Sequence, residues 1–160
     1  MPQIKTVKES CVETMEIVFP NDANPLGNIF GGRVMQLIDI VGSISAMRHA
    51  RNAVVTASMD TLNFKNPVFV GEILILYACV NYVAHTSMEV GVKVMAEHPL
   101  TGERRHTSSA YLTYVSIDSH GKPIPIPPIV TESDEEKRRY AEAQKRREHR
   151  LAVLKAKSGS

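Results

Sequence analysis

The segment NDANPLGNIFGGRVMQLID, Asn21 to Asp39, places a loop rich in Asn, Pro and Gly directly before an apolar run. From Gly32 that run, GRVMQLIDIVGSISAMRHA, repeats apolar residues at helical spacing, which predicts a helix of about five turns. Its apolar positions are Val34, Leu37, Ile38, Val41, Ile44 and Ala46. Small residues between Gly42 and Ala46 allow another backbone to approach closely, so the helix is expected to lie buried against a sheet.

The chain around this helix has the pattern of β-strands. A loosely alternating run precedes the helix, and four longer runs follow it, separated by turn residues. The runs are Cys11 to Phe19, Val54 to Phe64, Glu72 to Ala84, Ser87 to His98 and Arg104 to Ile117. The order β-α-β-β-β-β predicts an α+β fold in which a long central helix is wrapped by a curved antiparallel β-sheet.

One predicted strand, Glu72 to Ala84, is apolar on both faces, because apolar residues occupy both parities of EILILYACVNYV. A single helix covers only one face of a sheet. The second face is therefore expected to be covered by another subunit, so the sequence predicts a homo-oligomer.

The composition fits one domain and excludes several classes of partner. The chain has 160 residues, of which 43% are hydrophobic, and its net charge of +2 gives no general attraction to nucleic acid or membranes. The stretch MPQIKTVKES lacks the apolar core typical of a signal peptide, and no window approaches the roughly 20 apolar residues of a membrane span. The expected protein is soluble and cytoplasmic, and Cys11 and Cys79 are expected to be buried thiols in a reducing compartment.

The chain changes character after Ile117. The stretch KPIPIPPI, Lys122 to Ile129, is too rich in proline for a helix or a central strand and is expected to run extended over the surface. Beyond it acids precede bases, the order that a helix dipole favours, with Thr131 or Ser133 as the N-cap. Residues 131–160 are therefore predicted to form a charged helical tail.

Several types of catalytic site lack their residues. The sequence has no G-x-S-x-G, H-E-x-x-H, C-x-x-C or phosphate-loop motif. Its six histidines lie mostly near predicted strand ends, in loops or in the tail, where solvated side chains are expected. Serine hydrolases, zinc enzymes and nucleoside triphosphatases are thereby excluded, and no metal site is expected.

The opening segment remains as the candidate site. Gly31 and Gly32 lead into the helix, whose first N–H groups are unpaired and suit a carbonyl oxygen that gains negative charge. Asp39 follows roughly 10 Å further along the axis. Apolar neighbours make it a partly desolvated candidate base. The alternatives are a solvated carboxylate for Asp39 and a simple turn residue for Asn24, which precedes Pro25.

The segment DANPLGNIFGGRVMQLID resembles the signature of the hotdog-fold acyl-CoA thioesterases, in the group that includes the YciA-like and brain-type acyl-CoA hydrolases. The similarity runs from about Val12 to Ile117 and includes VVTASMDTLNFKNPVFVGEIL after the helix. It implies a hotdog thioesterase domain over residues 1–130, dimers whose sheets join, and a homohexamer built as a trimer of dimers. It also implies an acyl-CoA substrate, so coenzyme A belongs to the substrate and no separate cofactor is expected.

The resemblance further implies roles for individual residues. Asn24 and Asp39 match the family's catalytic pair, contributed by opposite subunits of a dimer. Asp39 would act as general base or nucleophile, and Asn24 would orient the water or the thioester. The N–H of Gly32, with help from Gly31, would form the oxyanion hole, and Thr56 matches a hydroxyl near the site.

The phosphates of coenzyme A require basic side chains. Arg33 follows the double glycine, and Lys65, Arg104 and Arg105 lie at predicted strand ends or at a hairpin turn. Each of the four is a candidate for binding coenzyme A, with a solvated surface charge as the alternative.

Two other functions stay open at this level. The resemblance in fold extends to enzymes that hydrate or dehydrate acyl thioesters. That reaction needs a His close to the acid, and His49 lies at the far end of the helix. A non-catalytic acyl-CoA sensor or RNA-binding module would use the basic tail, but Glu142 and Glu148 interrupt it and Tyr140 is its only aromatic residue. Thioester hydrolysis is therefore the predicted activity, and neither nucleic acid nor membrane is expected as a partner.

Overall fold

A computed structural model describes residues 3–159 and contains the predicted β-α-β-β-β-β core. The helices are α1 (Gly31–Ala50) and α2 (Asp134–Ser158). The strands are β1 (Lys5–Thr6), β2 (Val12–Ile17), β3 (Ala53–Phe64), β4 (Ile73–Val83), β5 (Ser87–Glu97), β6 (Arg104–Ile117) and β7 (Ile129–Val130). The parallel pair of β1 and β7 was not predicted, because a strand of two residues is too short to show alternation.

Five of the strands form one antiparallel sheet in the order β2-β4-β5-β6-β3, confirming the predicted architecture. The helix α1 lies across one face, where Ile38 and Val41 join Leu74 and Leu112 in a single buried core. The register of β3 with β6 shifts after Thr56 and again after Asp60. Such bulges bend a strand and curve the sheet. Because β3 is an edge strand, its outer side has no neighbour in this sheet.

The second helix packs against the outer face of the same sheet. Arg146 donates to both carboxylate oxygens of the buried Glu89, at 2.7 and 3.0 Å, and stacks 3.6 Å above the Tyr111 ring. Tyr140 meets Tyr82 edge to face, with ring centroids 4.9 Å apart. The expectation that another subunit must cover this face was therefore wrong in part, because α2 of the same chain covers some of it.

The start of α2 follows the predicted capping chemistry. Ser133 is the N-cap, and its side chain accepts a hydrogen bond from the Glu136 N–H at 3.1 Å. The Glu136 carboxylate accepts in return from the Ser133 N–H at 3.2 Å, which completes a capping box. Of the two predicted N-caps, Ser133 is thus confirmed and Thr131 was wrong.

Cys11 and Cys79 form a disulfide, so the expectation of two buried thiols was wrong. Val12 pairs with Ala78 in the register of β2 and β4, and this brings the Cα atoms of the two cysteines to 4.3 Å. The sequence did not reveal the bond because 68 residues separate the cysteines and the strand register was unknown. The inference of a reducing compartment loses its basis, and the cytoplasmic location stays a prediction.

Reduction of this disulfide is expected to lower the free energy of unfolding. Closing a loop of this length restricts the unfolded chain, which contributes about 4 kcal/mol in the chain-entropy account. Urea unfolding with and without dithiothreitol measures the effect. The control is the variant Cys11→Ser/Cys79→Ser, whose free energy of unfolding should not change with dithiothreitol. An equal decrease in this variant would contradict the disulfide.

Candidate active site

The Asp39 carboxylate lies half-buried on α1, where hydroxyl groups from two strands reach it. Thr56 Oγ1 of β3 donates to Asp39 Oδ1 at 2.8 Å, and the Tyr114 hydroxyl of β6 donates to the same oxygen at 2.9 Å. Thr56 and Tyr114 are register partners, so the sheet delivers both hydroxyls to one point of the helix. The Oδ2 atom takes part in none of the hydrogen bonds or ion pairs within residues 3–159.

Tyr114 is the site residue that the sequence analysis missed. Its side chain is fully buried, and its hydroxyl also lies 3.0 Å from the Asp39 carbonyl oxygen. Burial, and then the hydrogen bond to Asp39, raise the pKa of the Tyr114 hydroxyl, so it remains a donor. Gly42, one turn after Asp39, was the available signal, because a Cβ there would come 2.5 Å from the Tyr114 oxygen.

The start of α1 has unpaired N–H groups, as predicted. Phe30 is the N-cap and its side chain forms no cap hydrogen bond, while the Arg33 N–H bonds to the Phe30 carbonyl at 3.0 Å. In the described part of the chain no hydrogen bond uses the N–H of Gly31 or Gly32. Both glycines are exposed, although a Cβ atom added to Gly31 would lie 3.3 Å from the Phe64 ring. This helix end can accept a negatively charged oxygen.

The Asn24 side chain organises its own loop. Its Oδ1 accepts hydrogen bonds from the N–H groups of Leu26 at 2.9 Å and Asn28 at 3.2 Å. Gly27 completes the turn with a φ of 81°, a backbone conformation that favours glycine. Asn24 is thus a turn residue, but its Nδ2 group forms no hydrogen bond within residues 3–159 and can donate to a ligand.

A cavity of about 360 Å³ lies beside this loop and the start of α1. Its lining includes Asn24, Asn28, Gly31, Phe64, Lys65 and Ser108. The hydroxyl of Ser108 and the Oδ1 of Asn28 are buried without hydrogen-bond partners among the described residues. Asp39 does not line this cavity. Within a single chain the predicted catalytic residues therefore lie in two places. Asn24 and Gly31 line the cavity, and Thr56 contacts Asp39 outside it.

Two of the predicted CoA-binding arginines are engaged in ion pairs on the protein surface. Arg33 Nε lies 3.2 Å from an Asp22 carboxylate oxygen. Arg104 Nε lies 2.7 Å from a Glu97 carboxylate oxygen. Both pairs are partly open to solvent, where ion pairs are weak and can exchange partners, so either arginine can still turn to a phosphate.

Arg105 is held more firmly than these two arginines, whereas Lys65 is not held by an ion pair within residues 3–159. Arg105 donates to both carboxylate oxygens of the buried Glu72, at 2.6 and 2.7 Å, and to the Pro67 carbonyl at 2.7 Å. This contact lowers the pKa of the Glu72 carboxyl and fixes the guanidinium in place. Lys65 forms no ion pair within residues 3–159 and is exposed at the cavity that Asn24 lines.

His49 is not solvated, contrary to the general expectation for the histidines. It is fully buried near the end of α1, with Nε2 2.7 Å from the Pro127 carbonyl oxygen, and burial lowers its pKa. Residues 3–159 contain no group of three or more His, Cys, Asp or Glu side chains that could hold a metal ion. Over the same range, none of the helices has the length and apolar character needed to cross a membrane.

Known proteins share this fold and much of this sequence. The thioesterase superfamily matches residues 26–103. The Bacillus subtilis protein named uncharacterized acyl-CoA thioester hydrolase YkhA is 41% identical, over 97% of this chain and 94% of its own length. A structure described as an apo-hexameric acyl-CoA thioesterase has a TM-score of 0.91 and 43% identity, covering 95% of this chain and 97% of that one.

The Staphylococcus aureus acyl-CoA hydrolase, solved with butyryl coenzyme A, coenzyme A and coenzyme A disulfide, has a TM-score of 0.90 and 37% identity, over 98% of this chain and 96% of its own. That enzyme has also been solved with an Asn, an Asp and a Thr each replaced by Ala. The separations of these three positions, 15 and 17 residues, equal those of Asn24, Asp39 and Thr56. The chain therefore belongs to the thioesterase superfamily, within its family of hotdog-fold acyl-CoA hydrolases.

Proposed function

We propose that this protein hydrolyses acyl-CoA thioesters to a free acid and coenzyme A, with Asp39 as general base or nucleophile. One observation carries the proposal: a half-buried carboxylate has one oxygen held by two hydroxyls and the other unengaged within the described chain. The names of the relatives support the substrate class. The matching separations of Asn, Asp and Thr support the choice of Asn24, Asp39 and Thr56.

Asp39 Oδ2 is the atom that reacts. As a general base it accepts a proton from water, whose oxygen bonds to the thioester carbonyl carbon. The C–S bond then breaks, and the proton passes to the departing CoA sulfur. As a nucleophile, Oδ2 bonds to the same carbon, the CoA thiolate leaves, and water hydrolyses the resulting anhydride. Both routes use one water and give one acid and one thiol.

The start of α1 stabilises the negative charge that develops on the carbonyl oxygen. The free N–H of Gly32, helped by that of Gly31, donates to this oxygen at the positive end of the helix dipole. The Nδ2 group of Asn24 orients the water or the thioester, because its Oδ1 is already used within the loop.

Each complete site combines Asn24 of one chain with Asp39 of another. The separation of the two groups within one chain supports this arrangement, since the cavity at Asn24 excludes Asp39. Thr56 is exposed in the single chain, and so are three apolar side chains on α1 and β3: Ile40 (46%), Met47 (42%) and Val55 (45%). Pairing across the open edge of β3 would cover these side chains and bring a partner's loop towards Asp39.

The protein is expected to be a homohexamer, a trimer of such dimers. A second apolar patch supports a second interface, because Met15, Ile17 and Phe19 are more than half exposed at the opposite edge of the sheet. The relative described as hexameric supports the same number of subunits. Light scattering should give six times the chain mass of 17.7 kDa. A fully active monomer would refute both the hexamer and the shared site.

Lys65 is expected to bind a phosphate of coenzyme A, since it is the unpaired cation at the Asn24 cavity within the described chain. Lys65→Ala should raise KM for acyl-CoA by about fivefold, as for the loss of one exposed charge contact of about 1 kcal/mol, and leave kcat nearly unchanged. The KM effect should shrink at high salt. The control is Lys93→Ala, an exposed lysine on the outer face of the sheet. Equal KM values for the two variants would mean that Lys65 does not bind coenzyme A.

A panel of saturated acyl-CoA substrates, from short to long chains, tests the proposed function. Release of free CoA thiol is the expected result and can be followed with a thiol reagent. An enoyl-CoA substrate in the same panel tests the hydratase alternative, because hydration consumes the double bond and leaves the thioester intact. Thiol release from none of the substrates would overturn the proposal.

A further inference from the structure

We propose that Tyr114 is a positioning residue for the reaction of Asp39, and that Gly42 is required because it leaves room for the Tyr114 hydroxyl. This inference rests on the proposed function of Asp39. It assigns a role to the buried tyrosine on β6 and explains why a glycine stands in the middle of the buried face of α1.

The Tyr114 hydroxyl shares its single proton between two acceptor atoms of Asp39. It lies 2.9 Å from Oδ1 and 3.0 Å from the backbone carbonyl oxygen of the same residue, so it ties the carboxylate to the helix that carries it. Thr56 Oγ1 donates to the same Oδ1 at 2.8 Å. With both hydroxyls on Oδ1, rotation of the carboxylate is restricted, and Oδ2 is left without a hydrogen-bond partner among residues 3–159. A reacting oxygen with a fixed direction loses less entropy on reaching the transition state.

The two hydroxyls are the side-chain groups that face Asp39 from the elements packed on it. Thr56 comes from β3 and Tyr114 from β6, and no ion pair within residues 3–159 includes Asp39. Tyr114 stays protonated, because burial and the adjacent carboxylate both raise its pKa. The hydroxyl therefore donates to the Asp39 carboxylate without adding a charge.

Gly42 makes this contact possible. A Cβ at position 42 would come 2.5 Å from the Tyr114 oxygen and 3.3 Å from the adjoining ring carbon. The first distance is well inside van der Waals contact, and Tyr114 is fully buried, so its ring could move aside only by displacing close-packed core neighbours. An alanine at this position would therefore push the hydroxyl away from Asp39, although alanine normally favours a helix.

Tyr114→Phe removes the hydroxyl and keeps the buried ring. The expected result is a fall in kcat of about tenfold, with KM within about twofold of the original value, because a hydrogen bond to the reacting carboxylate is lost and substrate contacts are not. A merely structural role for Tyr114 would lower the melting temperature but would not confine the loss to kcat.

The matched control is Tyr111→Phe, three residues earlier on the same strand but on the outer face, where the ring contacts Arg146. This variant should keep the kcat and KM of the original protein. Gly42→Ala should reproduce the fall in kcat of Tyr114→Phe. The double variant should be no slower than Tyr114→Phe alone, because the nearest atom to the new Cβ is then the ring carbon and no hydroxyl remains to be displaced.

All variants are assayed beside the unchanged protein and Asp39→Asn, with thermal melting to establish that each is folded. If the unchanged protein releases no thiol, or Asp39→Asn keeps its activity, the proposed function of Asp39 fails and the positioning role falls with it. If those two behave as expected but Tyr114→Phe keeps kcat, the positioning role alone is overturned. Additive losses in the double variant would overturn the role of Gly42.

Discussion

Replacing Asp39 by Asn is expected to lower kcat for acyl-CoA hydrolysis by two or more orders of magnitude. The amide has nearly the volume of the carboxylate, and its oxygen can still accept from Thr56 and Tyr114 in place of Oδ1. Its other atom, however, is an NH₂ group, which can neither take a proton from water nor attack a carbonyl. Loss of a general base commonly costs this much in rate. The measurement is steady-state release of CoA thiol from the best substrate of the panel.

Folding and assembly of this variant should be unchanged, and its mass by light scattering and its melting curve test this. Asp134→Asn is a suitable control, because it makes the same chemical change at an exposed position in the first turn of α2. It should keep full activity. Turnover by Asp39→Asn within a few-fold of the original rate would mean that Asp39 is neither base nor nucleophile.

The sequence predicted the core of the fold because each of its elements has a local signature. The strand from Ser87 to Glu97 alternates Val with polar residues, and α1 repeats its apolar residues at helical spacing. Neither signature depends on distant parts of the chain. The register between strands has no such local signature, so the bond between Cys11 and Cys79 was missed.

Because strand register has no local signature, only part of the candidate site could be predicted from the sequence. Asp39 and the free helix start could be proposed from neighbouring residues, and Asn24 and Thr56 from the family resemblance. Tyr114 stands 75 residues beyond Asp39, and only the register of β3 and β6 joins them. In sequence it is an ordinary apolar strand residue. Gly42 indicates only that some group lies close to α1 at this point, so the sequence pattern could not identify Tyr114 as the partner of Asp39.

The basic tail illustrates a further limit, because charge in a sequence does not say what it contacts. The segment was weighed as a possible RNA-binding surface. In the fold, Arg146 is engaged with Glu89, and Arg150 lies 3.1 Å from an Asp60 carboxylate oxygen. These two arginines thus hold α2 to the sheet, and their charge is not free for a nucleic acid.

If each site is shared between two chains, two inactive variants should restore activity in one another. The variants are Asn24→Ala and Asp39→Ala, because alanine at both positions leaves the doubly substituted site with neither a carboxylate nor a side-chain amide. The turn at position 24 should survive, since its backbone hydrogen bonds, Asn24 N–H to the Asn28 carbonyl and Gly27 N–H to the Asn24 carbonyl, do not use the side chain.

In a mixed dimer one site receives both substitutions and the other receives neither. Random pairing of equal amounts makes half of the dimers mixed, and each of these has one intact site out of two, so about a quarter of the original activity should return if the sites act independently. The two chains must be co-expressed with different tags, and the mixed species purified, because subunits of a stable assembly exchange slowly. Purification by both tags removes the hexamers made of one variant alone. About half of the dimers in the remaining hexamers are mixed, so these should still show about a quarter of the original activity. Inactive mixed dimers, with both pure variants also inactive, would mean that Asn24 and Asp39 serve the same chain's site. The open edge of β3 and the exposed side chains around Asp39 would then need another explanation.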